Sequence, residues 1–410
     1  MASFQRKIGA ERSILMLPFN VVMVARVRGF LNESQIASAL ERLRNRHAFL
    51  AVRVRFDEDG TGWFIGDDVP AARVETEVRS DDARWMSRVQ SEYRKPFPIE
   101  TGPLFRCSLI HSEEVSELVL CGHHMICDGL SMGWLIRDLL TAVADPDMPI
   151  EELPPPPPID DSTVPDPPKT GALARWITGF INRKCERKKL TLNEPDMLRL
   201  HERFWEENDR TSLVAWEMDE QATDALARRS REEGVTINSA LWAAFLSAQH
   251  ETQIDRKPYH PQSGLAINTR DRLNVPVGEA LGFFASSLTV DLPYDPSVSF
   301  WDNARDVHAR IDRELTKTNL FRMLAANVLH PTLLDSLYFV KYGLLDGKLQ
   351  HMLLRKMGFH TVTYGCALTN VGRLDMPTGY GPLELEAVYG PSIFSDVGEK
   401  VIGVITIGGR

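Results

Sequence analysis

The residues most capable of chemistry lie in the segment 121–129, where His123 and His124 precede Asp128 and Gly129. The unperturbed pKa of histidine lies near neutral pH, so a histidine is the usual general base of an enzyme. An aspartate four residues after His124 could fix the imidazole ring or the loop that carries it. Because glycine adopts turns that a Cβ would strain, the pattern predicts a strand, a sharp turn at Gly129 and a helix directly behind it.

The two histidines are expected to differ in role. Adjacent side chains of a strand point to opposite faces, so one would face a cavity or the domain interface. The other would be buried and hydrogen-bonded within its own domain. In the alternative interpretation both His123 and His124 are structural, and Asp128 only caps the following helix. We expect Ser131, in the first turn of that helix, to act as a cap rather than to line a channel.

Metal binding and thiol chemistry have less support in this segment. Adjacent histidines lack the i, i+4 spacing of a helical metal motif, and Cys121 and Cys127 match no standard zinc spacing. Nothing near Cys127 in the sequence would lower the pKa of its thiol. We therefore expect neither a metal site nor a cysteine nucleophile.

Composition indicates a soluble, cytoplasmic, two-domain protein. The 410 residues exceed one ordinary core, and the net charge of −9 argues against nucleic-acid binding as the main function. No apolar run approaches the roughly 20 residues that cross a bilayer, and the N-terminus lacks the apolar core of a secretory signal. Five scattered cysteines without a CxxC pair favour reduced thiols. We expect a monomer.

The proline-rich segment 153–170 marks the clearest boundary, with five consecutive prolines at 154–158. Such a run cannot continue a helix and lacks sheet donors, so we expect an extended, stiff connector. At about 3.1 Å per residue it could span roughly 50 Å over the surface. The predicted organisation is an N-terminal half at 1–152, this linker, and a C-terminal half at 171–410.

Strand and helix signals are mixed in both halves, which predicts an α/β class with mixed sheets. The predicted strands cover 19–27, 49–56, 63–65, 104–110, 117–124, 262–268, 286–292, 362–370, 383–389 and 401–407. The predicted helices cover 32–47, 81–93, 130–143, 171–189, 219–233, 236–249 and 299–320.

Residues 123–129 resemble the HHxxxDG signature of the condensation-domain and chloramphenicol-acetyltransferase-like acyltransferase superfamily. The likeness is strongest to stand-alone polyketide-associated and alcohol O-acyltransferases, and its markers run in the expected order over most of the chain. The further markers are RHxxL at 46–50, PFDLxxGPLxR at 96–106, a helix start at 234–238, NxR … GxF at 268–270 and 281–284, and SNxGR at 368–373.

The resemblance implies two acetyltransferase-like halves that form a V-shaped pseudo-dimer with a channel between them. It implies that His124 lies in the channel as the general base and that His123 is structural. His124 would take the proton of an acceptor hydroxyl or amine as that group attacks a thioester carbonyl. The donor would be an acyl-CoA, or an acyl group on the phosphopantetheine of a carrier protein, and no bound cofactor is expected.

The resemblance also assigns supporting residues. Asp128 would pair with Arg270, the matching arginine of the second half, and would support the site structurally together with Gly129. Asn370 or Thr369 would contact the oxyanion or hold the acceptor. In the alternative interpretation Arg270 is a surface residue of a charged turn, and the other two only end a strand.

The chain departs from the family pattern in its last part. It lacks the DFGWG segment of the plant acyltransferases, of which 394–398 is at best a remnant. The sequence ends soon after a predicted strand, so we expect an abbreviated end of the second half.

The predicted helix 171–189 combines an aromatic face with a basic end. We expect the aromatic face to pack on the second domain. In the alternative interpretation the helix contacts an acidic carrier protein or a membrane surface.

The predicted function is acyl transfer from a thioester to an alcohol, with His124 as the base. Amide formation by a free-standing peptide condensation domain is the alternative within enzymes. A non-catalytic docking module of the same fold is the alternative from another class, and an intact HHxxxDG segment argues against it.

Overall fold

The computed structural model describes residues 4–167, 171–188, 192–252, 262–322, 324, 327–357, 365–395, 398 and 400–410. The strands are β1 Gln5–Lys7, β2 Asn20–Arg28, β3 Arg53–Phe56, β4 Gly62–Ile65, β5 Val74–Val78, β6 Phe105–His111, β7 Val115–His123, β8 Gln262–Asn268, β9 Ala285–Asp291, β10 Cys366–Arg373, β11 Gly379–Tyr380, β12 Leu383–Ser392 and β13 Val401–Thr406. The helices are α1 Glu33–Arg46, α2 Arg84–Arg94, α3 Gly129–Ala144, α4 Ala172–Lys188, α5 Glu194–Glu207, α6 Glu220–Glu232, α7 Ile237–Thr252, α8 Phe300–Glu314, α9 Lys317–Leu320, α10 Pro331–Lys341 and α11 Lys348–Met357.

A six-stranded mixed sheet forms the centre of the first half, in the order β11-β12-β2-β7-β6-β5. Its middle pair, β2 and β7, is antiparallel, with Asn20 opposite His123. Residues 21–25 of β2 are all buried, as expected for a valine-rich strand that is covered on both faces. Helices α2 and α3 both contact this strand. The central pair therefore ends in a fully packed region, and the histidine motif lies at that end.

A four-stranded sheet forms the centre of the second half, in the order β13-β10-β8-β9. Strand β10 runs parallel to both of its neighbours, and β8 pairs with β9 antiparallel. A separate core with Trp242, Leu246 and Phe284 lies against this sheet. The fold is thus mixed α/β with several mixed sheets, which confirms the predicted class.

The predicted boundary of the second half, 171–410, is wrong for two elements. Strand β12 pairs with β2, so residues 383–392 belong to the first sheet. Helix α5 packs Leu200 and Phe204 into the core of the first half. The edge of β2 explains the first difference, because an unpaired strand edge leaves backbone donors and acceptors without partners. The chain crosses between the halves repeatedly, rather than once at the proline-rich segment.

The proline-rich segment is also less free than predicted. The N–H of Leu153 donates to the carbonyl of Arg46, and the N–H of Asn274 donates to the carbonyl of Thr163. Val164 is buried in the core of the second half. The segment, described through residue 167, is therefore docked along its length rather than a spacer over the surface.

Other element boundaries differ from the sequence predictions. The predicted helix 299–320 is two helices, since the side chain of Thr316 accepts a hydrogen bond from the N–H of Asn319 and starts α9. Helices α5, α10 and α11 were not predicted. For α5 a signal was present, because Asn193 and Asp196 form a capping box. Residues 362–364 of a predicted strand and residue 189 of a predicted helix lie outside the described residues.

Helix α4 presents its aromatic residues to solvent, so the predicted packing of this face is wrong. Trp176 is 67% exposed and Phe180 58% exposed. The helix is held from elsewhere on its surface: the Asn182 amide donates to the carbonyl of Val328 and accepts from the N–H of His330. No helix within the described ranges is long and apolar enough to cross a membrane.

Candidate active site

The motif lies where β7 ends and α3 begins. The N–H of His124 donates to the carbonyl of Phe19, at 2.8 Å, and the N–H of Ile126 donates to the carbonyl of His123, at 2.9 Å. The first bond continues the pairing of β7 beside β2, and the second closes a turn between the last strand residue and the helix. Asp128 caps α3 by accepting a hydrogen bond from the N–H of Ser131.

The ring of His124 is held in one tautomer. Its Nδ1 lies 2.8 Å from the carbonyl oxygen of Cys127. Because a carbonyl oxygen only accepts, Nδ1 carries the hydrogen and Nε2 carries the free lone pair. The ring of Phe283, from the second half, packs edge-on with the centroids 5.0 Å apart. His124 therefore presents a basic nitrogen in a fixed orientation.

Burial lowers the pKa of His124 below its ordinary value. The Cys127 carbonyl and the nearby Asp128 carboxylate favour the protonated ring and offset part of this effect. The direction suits a general base, because the imidazole stays neutral at neutral pH and can accept a proton.

His123 lies in a different environment. The side chain is buried, and its Nδ1 accepts a hydrogen bond from the N–H of Met125, at 3.3 Å. The ring of Phe97 packs edge-on against it. Burial lowers the pKa of His123 to about 3. This neutral ring is fixed inside the first half, which fits a structural role.

The structure brings Asp128 and Arg270 together across the two halves. Arg270 Nη1 lies 2.8 Å from Asp128 Oδ2, and Nη2 lies 3.1 Å from Oδ1. The same carboxylate accepts from the backbone N–H groups of Ser131 and Phe284, both at 2.9 Å. Burial raises the pKa of Asp128, but the guanidinium and the two backbone donors lower it more. The carboxylate is therefore ionised in its buried position.

Arg270 is enclosed by aromatic rings as well as by its partner. Its guanidinium carbon lies 5.2 Å from the ring centroid of Trp134 and 4.9 Å from that of Phe284. Nη1 also donates to Oδ1 of Asn268, at 3.3 Å. A charge with this much desolvation depends on its partner, since an unpaired buried ion is costly.

A second charged network joins the halves, and only its RHxxL segment at 46–50 was recognised as a marker in the sequence. Asp138 accepts from Arg137, at 2.8 Å, and lies 3.0 Å from Nε2 of His47. Arg137 also donates to Glu279 of the second half, at 2.6 Å. The Nδ1 of His47 accepts from the N–H of Leu281, at 3.3 Å. In the sequence, the adjacent charged residues Arg137 and Asp138 in an otherwise apolar helix could have indicated this network.

Residues 279–284 form the wall that the second half contributes to the site. Nearly every member of this segment contacts the first half, and the contacts run in order along it. They join Glu279 to Arg137, Leu281 to His47, Gly282 to Ser131, Phe283 to His124 and Phe284 to Asp128. The position of the wall beside His124 is therefore set by contacts at five of its six residues.

Gly129 is required for a reason other than the predicted turn. It is the first residue of α3 and is not among the glycines with a left-handed backbone. A Cβ at this position would lie 2.6 Å from Cγ of Pro391 and 2.9 Å from Cγ2 of Val371. The expected strained turn is thus replaced by a close approach of two side chains, one from β12 of the first sheet and one from β10 of the second sheet.

Ser131 completes the cap of α3, as predicted, and adds a contact between the halves. Its Oγ accepts from the N–H of Asp128, at 3.1 Å, and donates to the carbonyl of Gly282, at 3.2 Å. The helix that follows the motif is thereby tied to the wall segment.

Asn370 and Thr369 lie on β10 of the second sheet. Asn370 lines an open cavity of about 540 Å³ together with Asn268, and its Oδ1 accepts from the N–H of Gly372, at 2.9 Å. Thr369 pairs with Gly403 in the sheet. No described hydrogen bond joins either side chain to His124, so their contact with an oxyanion or acceptor stays a prediction.

Neither a metal centre nor an activated thiol is evident near the motif. Among the described residues no group of three His, Cys, Asp or Glu side chains could hold a metal ion. Cys127 is buried and donates to the carbonyl of His123, and burial raises the pKa of its thiol. A protonated, enclosed thiol is a poor nucleophile.

Two family models match the chain, one in each half. Residues 17–154 match the condensation domain. Residues 207–333 match the C-terminus of phthiocerol/phthiodiolone dimycocerosyl transferase. The first match contains the histidine motif, and the second contains Arg270 and the wall segment.

Curated and solved proteins show the same likeness. Chondramide synthase of Chondromyces crocatus is 26% identical over 298 residues, which are 68% of this chain and 7% of that protein. The chain thus spans a small part of this relative. Polyketide synthase associated protein 5 of Mycobacterium tuberculosis has a similar structure, with a TM-score of 0.55, 17% identity, and coverage of 94% of this chain and 84% of that one.

The trichothecene 15-O-acetyltransferase TRI3 of Fusarium sporotrichioides also has this fold. The TM-score is 0.63 at 11% identity, and the match covers 99% of this chain and 89% of that one. At these identities the structural likeness establishes the architecture and not the reaction.

Removal of the Asp128 carboxylate should make the protein less stable. We expect Asp128→Ala to lower the free energy of unfolding by about 3–5 kcal/mol, because Arg270 is left buried and unpaired. Denaturant titration measures this change. Glu386→Ala, which removes the half-buried partner of the exposed Arg28, is the control and should cost no more than about 1 kcal/mol. An Asp128→Ala protein of full stability but no activity would instead assign Asp128 a direct catalytic role.

A methyl group at residue 129 should disturb the contact between the halves. We expect Gly129→Ala to cost about 1–3 kcal/mol of stability by overpacking against Pro391 and Val371. Gly179→Ala is the matched control, since a Cβ at that helical position meets nothing within 4 Å. It should be neutral or mildly stabilising. Equal thermal midpoints for the two variants would contradict the close packing at Gly129.

The pH dependence of activity should follow the lowered pKa of His124. Protonation of Nε2 removes the base, so kcat/KM should stay constant from neutral pH to below pH 6.5 and fall only at lower pH.

Protein stability has a pH dependence of its own, because buried His123 has a lower pKa in the folded state than in the unfolded state. The contribution of His123 to stability is therefore complete above about pH 6.5 and declines as the pH falls towards about 3. Thermal unfolding at each pH separates the two effects. An acid limb centred above 6.5 would contradict the lowered pKa.

Proposed function

Because this chain belongs to the condensation-domain and chloramphenicol-acetyltransferase-like acyltransferase superfamily, we propose that it transfers an acyl group from a thioester to an alcohol hydroxyl. The observation that carries the proposal is the 2.8 Å contact between His124 Nδ1 and the Cys127 carbonyl. That contact fixes Nε2 as a neutral base beside a wall supplied by the other half.

In the proposed reaction, Nε2 of His124 removes the proton of the acceptor hydroxyl. The hydroxyl oxygen attacks the thioester carbonyl and forms a tetrahedral intermediate. Its collapse breaks the carbon–sulfur bond and expels the thiolate, which takes the proton back from the imidazolium. An ester and a free thiol result. A thioester is an activated acyl donor, so proximity and one proton acceptor supply much of the catalysis.

The oxyanion of that intermediate needs a hydrogen-bond donor. Asn370 is our first candidate donor. Its Oδ1 already accepts a hydrogen bond from the N–H of Gly372, so its Nδ2 group is the part of the amide that could donate to the oxyanion. Thr369 is the second candidate. Phe283 would then exclude water from the side of His124 that faces the second half.

The donor we propose is an acyl-CoA, or an acyl group carried on the phosphopantetheine of a carrier protein. No resident cofactor enters the reaction. The match of residues 207–333 supports an alcohol acceptor, because that transferase is named for phthiocerol, an alcohol.

Amide formation is the second candidate function, and one observation favours it. The half that carries His124 matches the condensation-domain model, and an amine acceptor would lose its proton to the same Nε2. The nature of the product separates the two reactions.

Replacement of the base should abolish most turnover. We expect His124→Ala to lower the rate of thioester consumption by about 10²–10⁴-fold, as for loss of a general base. Acyl-CoA and acyl-carrier thioesters are each incubated with alcohols and amines, and mass spectrometry distinguishes ester from amide.

His351→Ala, at an exposed histidine of α11, is the matched control and should retain wild-type turnover. Equal thioester consumption by the wild type and His124→Ala would refute the base assignment. Absence of turnover with every donor would favour a non-catalytic docking module.

A further inference from the structure

The exposed aromatic pair of α4 has no role in the proposed reaction. Trp176 and Phe180 are one helical turn apart, and their rings stack with centroids 6.5 Å apart. Single exposed apolar side chains are ordinary, whereas a contiguous exposed apolar patch marks an interaction surface. The two stacked rings form one exposed apolar region.

The orientation of α4 is fixed by that same contact. Asn182 follows Phe180 by two positions, which places it about 200° around the helix. Its side chain binds the 328–330 backbone on the side of the helix that faces the protein. The aromatic pair is therefore held outwards.

The charge of this helix is opposite to that of the whole chain. Residues 171–189 contain six basic residues and one acidic residue, in a chain of net charge −9. Arg175 and Arg183 are exposed. Arg183 lies three positions after Phe180 and thus shares its face. The patch combines large aromatic side chains with positive charge.

We propose that α4 docks the protein on an anionic lipid surface. Trp176 and Phe180 enter the boundary between headgroups and acyl chains, and the exposed Arg175 and Arg183 contact headgroup phosphates. A basic amphipathic helix with tryptophan and phenylalanine on its apolar face lies in the plane of such an interface. Tryptophan rings favour headgroup depth, and negative surface potential attracts clustered lysine and arginine.

A lipid surface fits this patch better than an acidic carrier protein. The 17 residues of α4 extend over about 25 Å, so a broad anionic plane contacts the aromatic pair and the exposed Arg183 together. The rest of the chain carries net negative charge and is repelled by the same plane. Binding would therefore be peripheral and would orient the protein with α4 towards the lipid.

Vesicle co-sedimentation of the full chain tests the proposal without any measurement of activity. Vesicles of phosphatidylcholine alone are compared with vesicles that also contain phosphatidylglycerol. We expect sedimentation with the anionic vesicles only. Binding should weaken when the salt concentration is raised from about 0.1 M to about 1 M, because the Debye length falls from about 10 Å to about 3 Å.

Three variants locate the contact. The double variant Trp176→Ser/Phe180→Ser and the single variant Arg183→Glu should each lower the partition coefficient by about tenfold or more. Phe30→Ser is the matched control, because Phe30 is 62% exposed in the first half, and it should bind as the wild type does. Circular dichroism and thermal unfolding verify that each variant is folded.

The proposal is overturned if the wild type does not sediment with anionic vesicles, or if a folded double variant sediments as the wild type does. Capture of an acidic acyl carrier protein that needs Trp176 and Phe180, without vesicle binding, would also overturn it and assign the patch to a protein partner.

Discussion

The buried ion pair between Asp128 and Arg270 is the interaction on which the site depends. Asp128 caps the helix behind the motif, binds the arginine of the other half and receives the backbone N–H of Phe284. One carboxylate thus fixes the start of α3, the position of Arg270 and the end of the wall segment. His124 lies in the turn directly before this cap, and Phe283 of the wall segment packs against its ring. The surroundings of His124 therefore depend on the same pair.

Much of the site could be predicted from the sequence because its markers are local. The HHxxxDG segment and its position between a strand and a helix depend on residue types at short spacing. The pairing of Asp128 with Arg270, 142 residues away, was predicted only because the chain resembles the acyltransferase superfamily. The tautomer of His124 could not be predicted, because it depends on which carbonyl the turn presents. The role of Gly129 was predicted for the wrong reason, since the two side chains that approach it come from residues 371 and 391.

The fold class could be predicted, whereas the assignment of elements to halves could not. Strand periodicity identifies β12 as a strand but does not say which sheet it joins. Pairing with β2 depends on an open edge more than 350 residues away. Helix α5 has clear capping residues, yet its packing on the first half depends on long-range apolar contacts that sequence patterns do not reveal. Long-range choices of this kind account for the wrong boundary.

The placement of β12 limits how such a protein could exchange parts with its relatives. The proline-rich segment looks like a natural junction for recombination, because it separates two mixed α/β stretches of sequence. A crossover there would combine β2 of one parent with β12 of another, and the two strands would have to match in register along Val22–Arg28. The two halves are therefore expected to be inherited together, and chimeras of this architecture need their junctions placed on both sides of β12.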